Sequence, residues 1–273
     1  MLRFVGLGAA DKRAMSRTVE TLMRRAPEMV AATYDYLEAT PETAAVLGWT
    51  GGADAGHLEE RRRFFTIWLA RTLGLDTGDE FAYYLFRAGQ YHAGHGPRRI
   101  HVPPAYVTGS IGMMGAAFAD CMRDAQLPGD VVAPAMAGWN KYLAVQLHLM
   151  NLGYQTARDF AQGRLPITLA FYGRLRQAVG HRQLDACVGD GDDVEALLRK
   201  FFNYMPALRA DCLRPVWHSH EKDDSAWVEL SQSYVPAPGG WRILLNGRDV
   251  AHADGFGARL RPDDVVSIFP PGR

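Results

Sequence analysis

The hydrophobic pattern of this chain changes its period once, close to residue 163. Before that point apolar residues recur every three or four positions, which is typical of packed helices. After Pro166, short β-branched and aromatic runs stand between turn signals. Because 273 residues are enough for two cores, the change predicts a boundary between Gln162 and Pro166. We therefore predict an all-α domain over residues 1–163 and a small α+β domain over residues 164–273.

Prolines divide the helical pattern of the first domain. Ala26-Pro27 interrupts the apolar stretch over residues 11–37, and because proline fits the first turn of a helix, we predict a new helix starting at Pro27. Pro41 predicts another start in the same way. The longer patterns predict helices over residues 58–73, 80–92, 104–122 and 131–160. Long helices with short connections indicate a domain built by pairwise helix packing.

The second domain carries strand patterns around one amphipathic helix. The strands are predicted over residues 167–172, 183–188, 241–245 and 265–269. Asp192 precedes the helix, whose acidic first turn suits the positive end of the helix dipole. Asn246-Gly247 is a strong hairpin signal. One helix against a small mixed sheet is an α+β arrangement.

Charge and cysteine content argue against several classes of protein. Thirty basic residues balance thirty acidic ones, so the chain lacks the positive field that nucleic acids require. Three widely spaced cysteines without a C-x-x-C pair indicate neither a disulfide framework nor a zinc ribbon. The amino terminus lacks the apolar run of a signal peptide, and no stretch approaches the ~18 apolar residues that cross a bilayer. We expect a soluble, cytoplasmic protein with no nucleic acid or membrane partner.

Catalytic motifs give no support to an enzyme. The sequence contains no G-x-S-x-G, P-loop or H-E-x-x-H motif. Gly6-Leu-Gly8 lacks the third glycine of a dinucleotide fingerprint. We therefore expect a protein that binds a ligand rather than one that catalyses a reaction.

The most informative stretch covers residues 87–104 and holds His92, His95 and His101. On a continuing helix His92 and His95 would share a face, but the glycines and proline that follow oppose a continuing helix. The residues alone leave three interpretations open. The histidines are hydrogen-bonded residues at a helix end, or a three-histidine metal site without a nearby carboxylate, or one of them is an axial haem ligand in an apolar helical pocket.

Four segments resemble sensor globins, in the order that this family has them. Residues 4–11 are similar to the family's opening, and Thr33-Tyr-Asp-Tyr-Leu-Glu-Ala-Thr-Pro-Glu-Thr43 is similar to its second helix. Gly89-Gln-Tyr-His-Ala93 resembles the G-x-x-H-A signature that carries the proximal histidine in globin-coupled sensors and protoglobins. Ile100-His-Val-Pro-Pro-Ala-Tyr-Val107 resembles the segment that opens the next helix. The resemblance covers about residues 4–160.

The resemblance implies a globin-like fold that binds haem b, with His92 as the ligand of the iron. We expect the other ring nitrogen of His92 to donate to a carbonyl, which would fix its tautomer. On the opposite side of the haem, Tyr34 is expected to hydrogen-bond a bound gas molecule and to slow the loss of O2; Tyr36 is its structural competitor. Thr33 departs from the family, which usually has phenylalanine there, and this departure weakens the assignment of Tyr34.

Large apolar side chains are candidates for the wall of the haem pocket, although such stripes are equally typical of an ordinary core. We expect at most half of the candidates to contact haem. They are Phe65, Trp68, Leu69, Phe86, Val107, Ile111 and Met114.

The second domain resembles the MoaD/ThiS-like β-grasp family, the small sulfur carriers of molybdopterin and thiamine biosynthesis. Residues 167–180 resemble its start, and residues 243–250 and 260–271 match its end more closely. The resemblance implies a ubiquitin-like β-grasp fold over most of residues 166–273, with an insertion near residues 215–240. His218-Ser-His220 in this insertion is more typical of a solvated loop than of a metal site.

Two functions follow from these resemblances. The leading interpretation is a haem sensor that binds O2, CO or NO and thereby alters which protein the β-grasp domain binds. Sensor globins often pair through their last helices, so the resemblance implies a homodimer surface over residues Trp139 to Tyr154. The alternative is a sulfur carrier with a regulatory globin domain. Sulfur carriers end in a glycine carboxylate, whereas Arg273 follows Gly272 here, so the sensor is preferred.

Overall fold

The structure is a computed structural model that describes residues 1–209, 213–221, 228–236 and 240–271. The chain folds into two compact units, Met1–Gln155 and Thr156–Arg273. Cys212, Gly272 and Arg273 lie outside the described residues, as do the side chains of His218 and His220. The predictions made for those residues are therefore left as predictions.

The first unit is built from helices. They are α1 (Ala9–Ser16), α2 (Val19–Ala39), α3 (Pro41–Leu47), α4 (Ala55–Leu73), α5 (Asp79–His92), α6 (Pro104–Asp124) and α7 (Gly129–Ala161), the last of which runs on into the second unit. The helix starts predicted at Pro41 and Pro104 are confirmed. None of the helices in the described part of the chain has the length and apolar character needed to span a bilayer.

The helix start predicted at Pro27 is wrong, because Pro27 lies inside α2. The break falls instead at Thr18, between α1 and α2. The buried hydroxyl of Thr18 donates to the main-chain oxygen of Met15 and accepts from the indole of Trp139. This pair of bonds favours a turn at Thr18. Pro27 removes one helix hydrogen bond, but it lies on the solvent side, where water can satisfy the freed carbonyl.

The second unit contains a mixed sheet and one long helix. Its elements are β1 (Leu165–Phe171), α8 (Gly173–Val179), β2 (Gln183–Val188), α9 (Val194–Tyr204), β3 (Leu213–Glu221), β4 (Val228–Pro236), β5 (Arg242–Leu245), β6 (Arg248–Asp249) and β7 (Val265–Phe269). The strands of the main sheet follow the order β2-β1-β7-β5-β6, with β1 and β7 parallel and the other pairs antiparallel. The apolar face of α9 shares one core with these strands.

This topology places the first and last strands of the unit side by side at the centre of the sheet, which is the β-grasp arrangement. The predicted fold, an all-α globin-like domain followed by an α+β β-grasp domain, is therefore confirmed. The hairpin at Asn246-Gly247 joins β5 to β6, and both residues have the positive φ angles of a two-residue turn, 50° and 83°. The short helix α8 was not predicted, and neither were β3 and β4, which pair as a separate hairpin within the insertion.

The last residues of α7 pack into the core of the second unit, which explains why the division precedes residue 163. Phe160 is buried there and stacks on Tyr204, with ring centroids 4.5 Å apart. Nearby, the half-buried ammonium group of Lys200 donates to the main-chain oxygens of Asp159, Gln162 and Cys187 at 3.0, 2.7 and 3.0 Å. Lys200 thus supplies donors to two carbonyls at the end of α7 and to one carbonyl of β2.

A Lys200→Met variant should lower the free energy of unfolding of the second unit by about 2 kcal/mol, because hydrogen bonds to a charged group contribute more than neutral ones. Denaturant unfolding followed by circular dichroism measures this loss. Arg199→Met is the matched control, since Arg199 makes only an exposed ion pair with Glu195 and should change stability by less than about 0.5 kcal/mol. Equal stability of the two variants would contradict this role of Lys200.

Candidate ligand cavity and its histidine

A cavity opens inside the helical unit, between side chains from α2 to α7. The volume of this cavity is about 200 Å³. Its wall is mainly aliphatic and aromatic, with few polar groups, as is usual for cofactor sites. The lining residues are Thr33, Tyr34, Leu37, Thr43, Val46, Leu47, Arg61, Phe64, Phe65, Trp68, Tyr84, Ala88, His92, Val102, Tyr106, Val107, Ser110, Ile111 and Met150.

His92 is the last residue of α5, and its side chain reaches the cavity. Ala88 and Tyr84 lie four and eight positions earlier and line the same cavity, so one face of α5 forms this wall. After His92 the chain turns at Gly94, whose φ of 94° suits glycine. The amide of Val102 then donates to the carbonyl of His92 at 2.7 Å. This bond ties the segment before α6 to the end of α5.

The imidazole of His92 lies deep in the unit but keeps accessible surface, because it opens on the cavity. Burial lowers the pKa of His92 to about 4, so the ring is neutral at pH 7 and can bind a metal. Its Nδ1 atom is buried without a hydrogen-bond partner among the described residues. The carbonyl partner expected for His92 is therefore missing. An unpartnered buried nitrogen costs roughly 1–3 kcal/mol, and a cofactor that engages the ring can offset this cost.

Acid should destabilise the ligand-free protein through His92. The unfolded imidazole takes up a proton below its ordinary pKa of 6.5, whereas the folded one stays neutral until about pH 4. The unfolded state therefore binds more protons in this window, and stability falls as the pH falls. From the size of the pKa shift we expect a loss of up to about 3 kcal/mol between pH 6.5 and 4.

Denaturant unfolding at a series of pH values measures this loss. Burial also lowers the pKa of His57, which adds a decline of the same sign. The His92→Leu variant keeps the contribution of His57 and should show a distinctly shallower pH dependence. An equally steep decline in His92→Leu would show that His92 is not the titrating group.

Two glycines fix α5 against α7 and so place His92. A Cβ atom on Gly89 would overlap the carbonyl oxygen of Met150 and lie 2.9 Å from the amide nitrogen of Tyr154. A Cβ atom on Gly153 would overlap the carbonyl oxygen of Phe86 in the same way. Only glycine lets the two backbones come this close. The glycine of the G-x-x-H-A motif therefore has a packing role, and Gly153, its counterpart on α7, was not recognised in the sequence.

An aromatic wall faces the cavity from α2 and α4. Tyr34 and Phe65 meet edge to face at 5.9 Å, and the rings of Phe65 and Trp68 lie 5.0 Å apart. The indole of Trp68 donates to the buried side-chain oxygen of Gln146 at 2.8 Å. This bond sets the orientation of Trp68, since a buried indole N–H needs an acceptor. Gln146 thus acts on the cavity through Trp68.

Tyr34 lines the cavity, whereas its competitor Tyr36 does not line it and is 52% exposed. The hydroxyl of Tyr34 already donates to the main-chain oxygen of Arg61 at 2.8 Å. A phenol has a single proton to donate, so Tyr34 can donate to a ligand only by giving up this bond. Burial raises the pKa of Tyr34, which keeps the hydroxyl protonated at pH 7.

Three predicted wall residues do not line the cavity. Leu69 is buried in the helical core at the edge of the lining face of α4. Phe86 lies on the opposite face of α5 from Tyr84, Ala88 and His92, and its ring stacks on Tyr83. Met114 is one turn beyond the cavity on α6 and is also part of the core. By contrast, Phe65, Trp68, Val107 and Ile111 do line it.

Arg61 is the main functional candidate that sequence reasoning missed. It lies on α4 four residues before Phe65 and lines the same cavity, a spacing that could have identified it. Its Nε atom is 3.0 Å from Nε2 of His57, whose Nδ1 is 3.0 Å from the indole nitrogen of Trp49. Burial lowers the pKa of Arg61, yet a guanidinium group keeps its charge in proteins. The cavity therefore has one cationic wall.

The other two histidines of the motif do not join His92. His101 is hydrogen-bonded to the hydroxyl of Tyr154 at 2.7 Å, and the amide of His95 donates to the carbonyl of Gln90. Within the described ranges no three His, Cys, Asp or Glu residues are grouped as a metal site requires. His92 thus faces the cavity as a single imidazole.

A helical unit that holds one neutral imidazole against a largely apolar cavity defines a globin-like protein. The protoglobin family model matches residues 1–159, and the chain belongs to the protoglobin family. This family implies haem binding. The neutral imidazole of His92, which opens on the cavity, and the apolar wall around it fit such a cofactor. No curated protein matches the sequence.

Solved structures match the second part of the chain. The small archaeal modifier protein 1 from Methanosarcina acetivorans is 23% identical, with 39% of this chain and 93% of that protein covered and a TM-score of 0.30. The Haloferax volcanii HVO 2177 protein is 26% identical, with 40% and 85% covered and a TM-score of 0.29. The assignment of the β-grasp fold to this chain rests on its strand order.

Proposed function

We propose that this chain is a haem protein that binds a diatomic gas, with His92 as the ligand of the iron. One observation carries the proposal: in a member of the protoglobin family, a single neutral imidazole opens on an apolar cavity. When bound, haem supplies an iron atom that can hold O2, CO or NO.

The residues around His92 would hold the cofactor and keep water away. Phe65, Trp68, Val107 and Ile111 supply large apolar contacts in the cavity wall, and apolar burial is the main source of cofactor affinity. No cysteine lines the cavity in the described part of the chain, so the wall has no thiol for a covalent link. The cofactor is therefore proposed to be haem b, held without covalent bonds to the protein.

The β-grasp unit is proposed to bind a protein partner, and gas binding would alter this interaction. Such coupling requires two states of the chain with different affinity for the partner. A homodimer through the last globin helix is also proposed, in a narrower form than the sequence indicated. Trp139 and Tyr142 are buried in their own unit, so the surface would be the exposed stripe on α7. This stripe consists of Asn140, Ala144, His148 and Leu152.

Absorption spectroscopy of the purified chain tests the proposal. The protein reconstituted with haem should show a sharpened Soret band at one haem per chain, and CO added to the reduced form should shift that band. The spectrum of free haem, unchanged by the protein at equimolar concentration, would overturn the proposal. The partner hypothesis is tested separately by pull-down with the intact, reduced, haem-loaded chain. The amount of partner protein captured should differ between samples with and without CO.

A further inference from the structure

Arg61 brings a positive charge into the cavity wall, and no carboxylate among the described residues lies within ion-pair distance of it. The acidic residues nearest to it along the fold are already paired: Glu60 binds Arg98 at 2.7 Å, and Asp35 lies 3.5 Å from Arg62. None of the ion pairs in residues 1–209 includes Arg61. Charged groups away from bulk water are normally paired, so a cationic wall next to an apolar cavity calls for an anionic partner.

The contact between Arg61 and His57 does not satisfy the guanidinium group. A neutral imidazole has one nitrogen that accepts and one that donates, yet both ring nitrogens of His57 face N–H donors, from Trp49 and from Arg61. His57 can accept from only one of the two. Trp49 is buried, and among the described residues its indole has no other acceptor, whereas Arg61 has the cavity beside it. Arg61 is therefore the donor left short of an acceptor.

The other polar group expected at this side of the cavity is already engaged. Tyr34 donates its single hydroxyl proton to the main-chain carbonyl oxygen of Arg61. Donors that are free to act on a ligand therefore come from the guanidinium group rather than from the phenol. A guanidinium offers five N–H donors in a rigid plane, of which only Nε faces His57.

We propose that Arg61 makes this cavity a binding site for small inorganic anions, with fluoride as the simplest representative. The inference rests on the proposed haem function, because the anion would bind in the same cavity. In this inference the hydrogen-bond donor to the ligand is Arg61 and not Tyr34. The cavity should therefore prefer anionic over neutral ligands.

Fluoride titration of the oxidised haem-loaded protein, followed by visible absorption, tests this inference. Arg61→Leu should bind fluoride roughly tenfold to a hundredfold more weakly than wild type, the loss expected for a hydrogen bond from a charged donor. Arg61→Lys keeps the charge but not the planar guanidinium group. Its fluoride affinity should lie between those of wild type and Arg61→Leu. Affinity for CO, a neutral ligand, should change less than threefold in both variants.

Arg63→Leu is the matched control, because Arg63 is an exposed arginine of the same helix whose cation lies over the ring of Phe64. An equal loss of fluoride affinity in Arg63→Leu would mean a general field effect and would overturn the assignment. Normal fluoride affinity in haem-loaded Arg61→Leu would overturn it as well, while the haem function would stand. If no variant and no wild-type sample binds haem, the proposed function itself fails.

A further arm separates the anion from the carboxylates of the cofactor. Haem and its dimethyl ester are titrated into wild type and Arg61→Leu, with Arg61→Gln as a second variant should the leucine protein fail to fold. The inference expects the preference for haem over the ester to be equal in wild type and variant. A preference that is present in wild type and lost in the variant would show that Arg61 pairs with the cofactor, and would overturn the inference.

Discussion

Replacing Gly89 by alanine should lower the free energy of unfolding of the helical unit by about 3 kcal/mol, at the upper end of what overpacking costs. The added Cβ atom would overlap the carbonyl oxygen of Met150 and lie 2.7 Å from its carbonyl carbon. Both atoms belong to the backbone of α7, so no side-chain rotation can relieve the contact. Helix α5 must move away from α7, and His92 moves with it. Haem affinity should therefore fall together with stability.

Urea unfolding and haem titration of the same variant measure the two effects. Gly112→Ala is the matched control, since Gly112 lies on α6 and a Cβ atom there meets nothing within 4 Å. Alanine in an exposed helix is favoured over glycine by roughly 0.5–1 kcal/mol, so this variant should be as stable as wild type or more so. A Gly89→Ala protein with the stability and haem affinity of Gly112→Ala would refute the close packing of α5 and α7.

The second large effect is expected from His92→Gly. Removing the imidazole takes away the proposed iron ligand and leaves a space of the same shape in the cavity wall. Haem affinity should fall at least about a hundredfold, by analogy with the cost of losing an ordered metal ligand or its support. Free imidazole in the buffer should then restore much of the haem binding. The measurement is haem content by absorption, with and without imidazole.

His95→Gly serves as the control for this experiment, because His95 lies three residues further along the same motif and does not line the cavity. It should retain haem, and imidazole should make no difference to it. Loss of haem from His95→Gly alone, with His92→Gly unaffected, would reassign the ligand. Loss from both without rescue by imidazole would indicate a folding defect instead of a lost ligand.

Local signals were sufficient for most of the fold. Proline at Pro41 and Pro104 marked helix starts, and Asn246-Gly247 marked the hairpin, because these residues restrict the backbone wherever they occur. Pro27 is the exception. Its effect depends on which side of α2 faces solvent, and that is decided by packing that spacing along the chain does not reveal.

The cavity was only partly predictable from the sequence. The motif pointed to His92, and large apolar residues at helical spacing pointed to Phe65 and Trp68, all of which line the cavity. Arg61 was overlooked because a charged residue on a helix is usually assigned to the surface. Gly153 was overlooked because glycine is required there by the close approach of another helix, at Phe86. Such contacts between distant segments do not produce a periodic pattern in the sequence.

The bond between His92 and iron is the central claim, and resonance Raman spectroscopy of the reduced protein tests it most directly. The wild-type chain should show a stretching band between iron and an imidazole nitrogen. That band should be absent from His92→Gly and should return when free imidazole is added. A band that persists in His92→Gly without imidazole, or a wild-type protein with haem but no such band, would contradict the account.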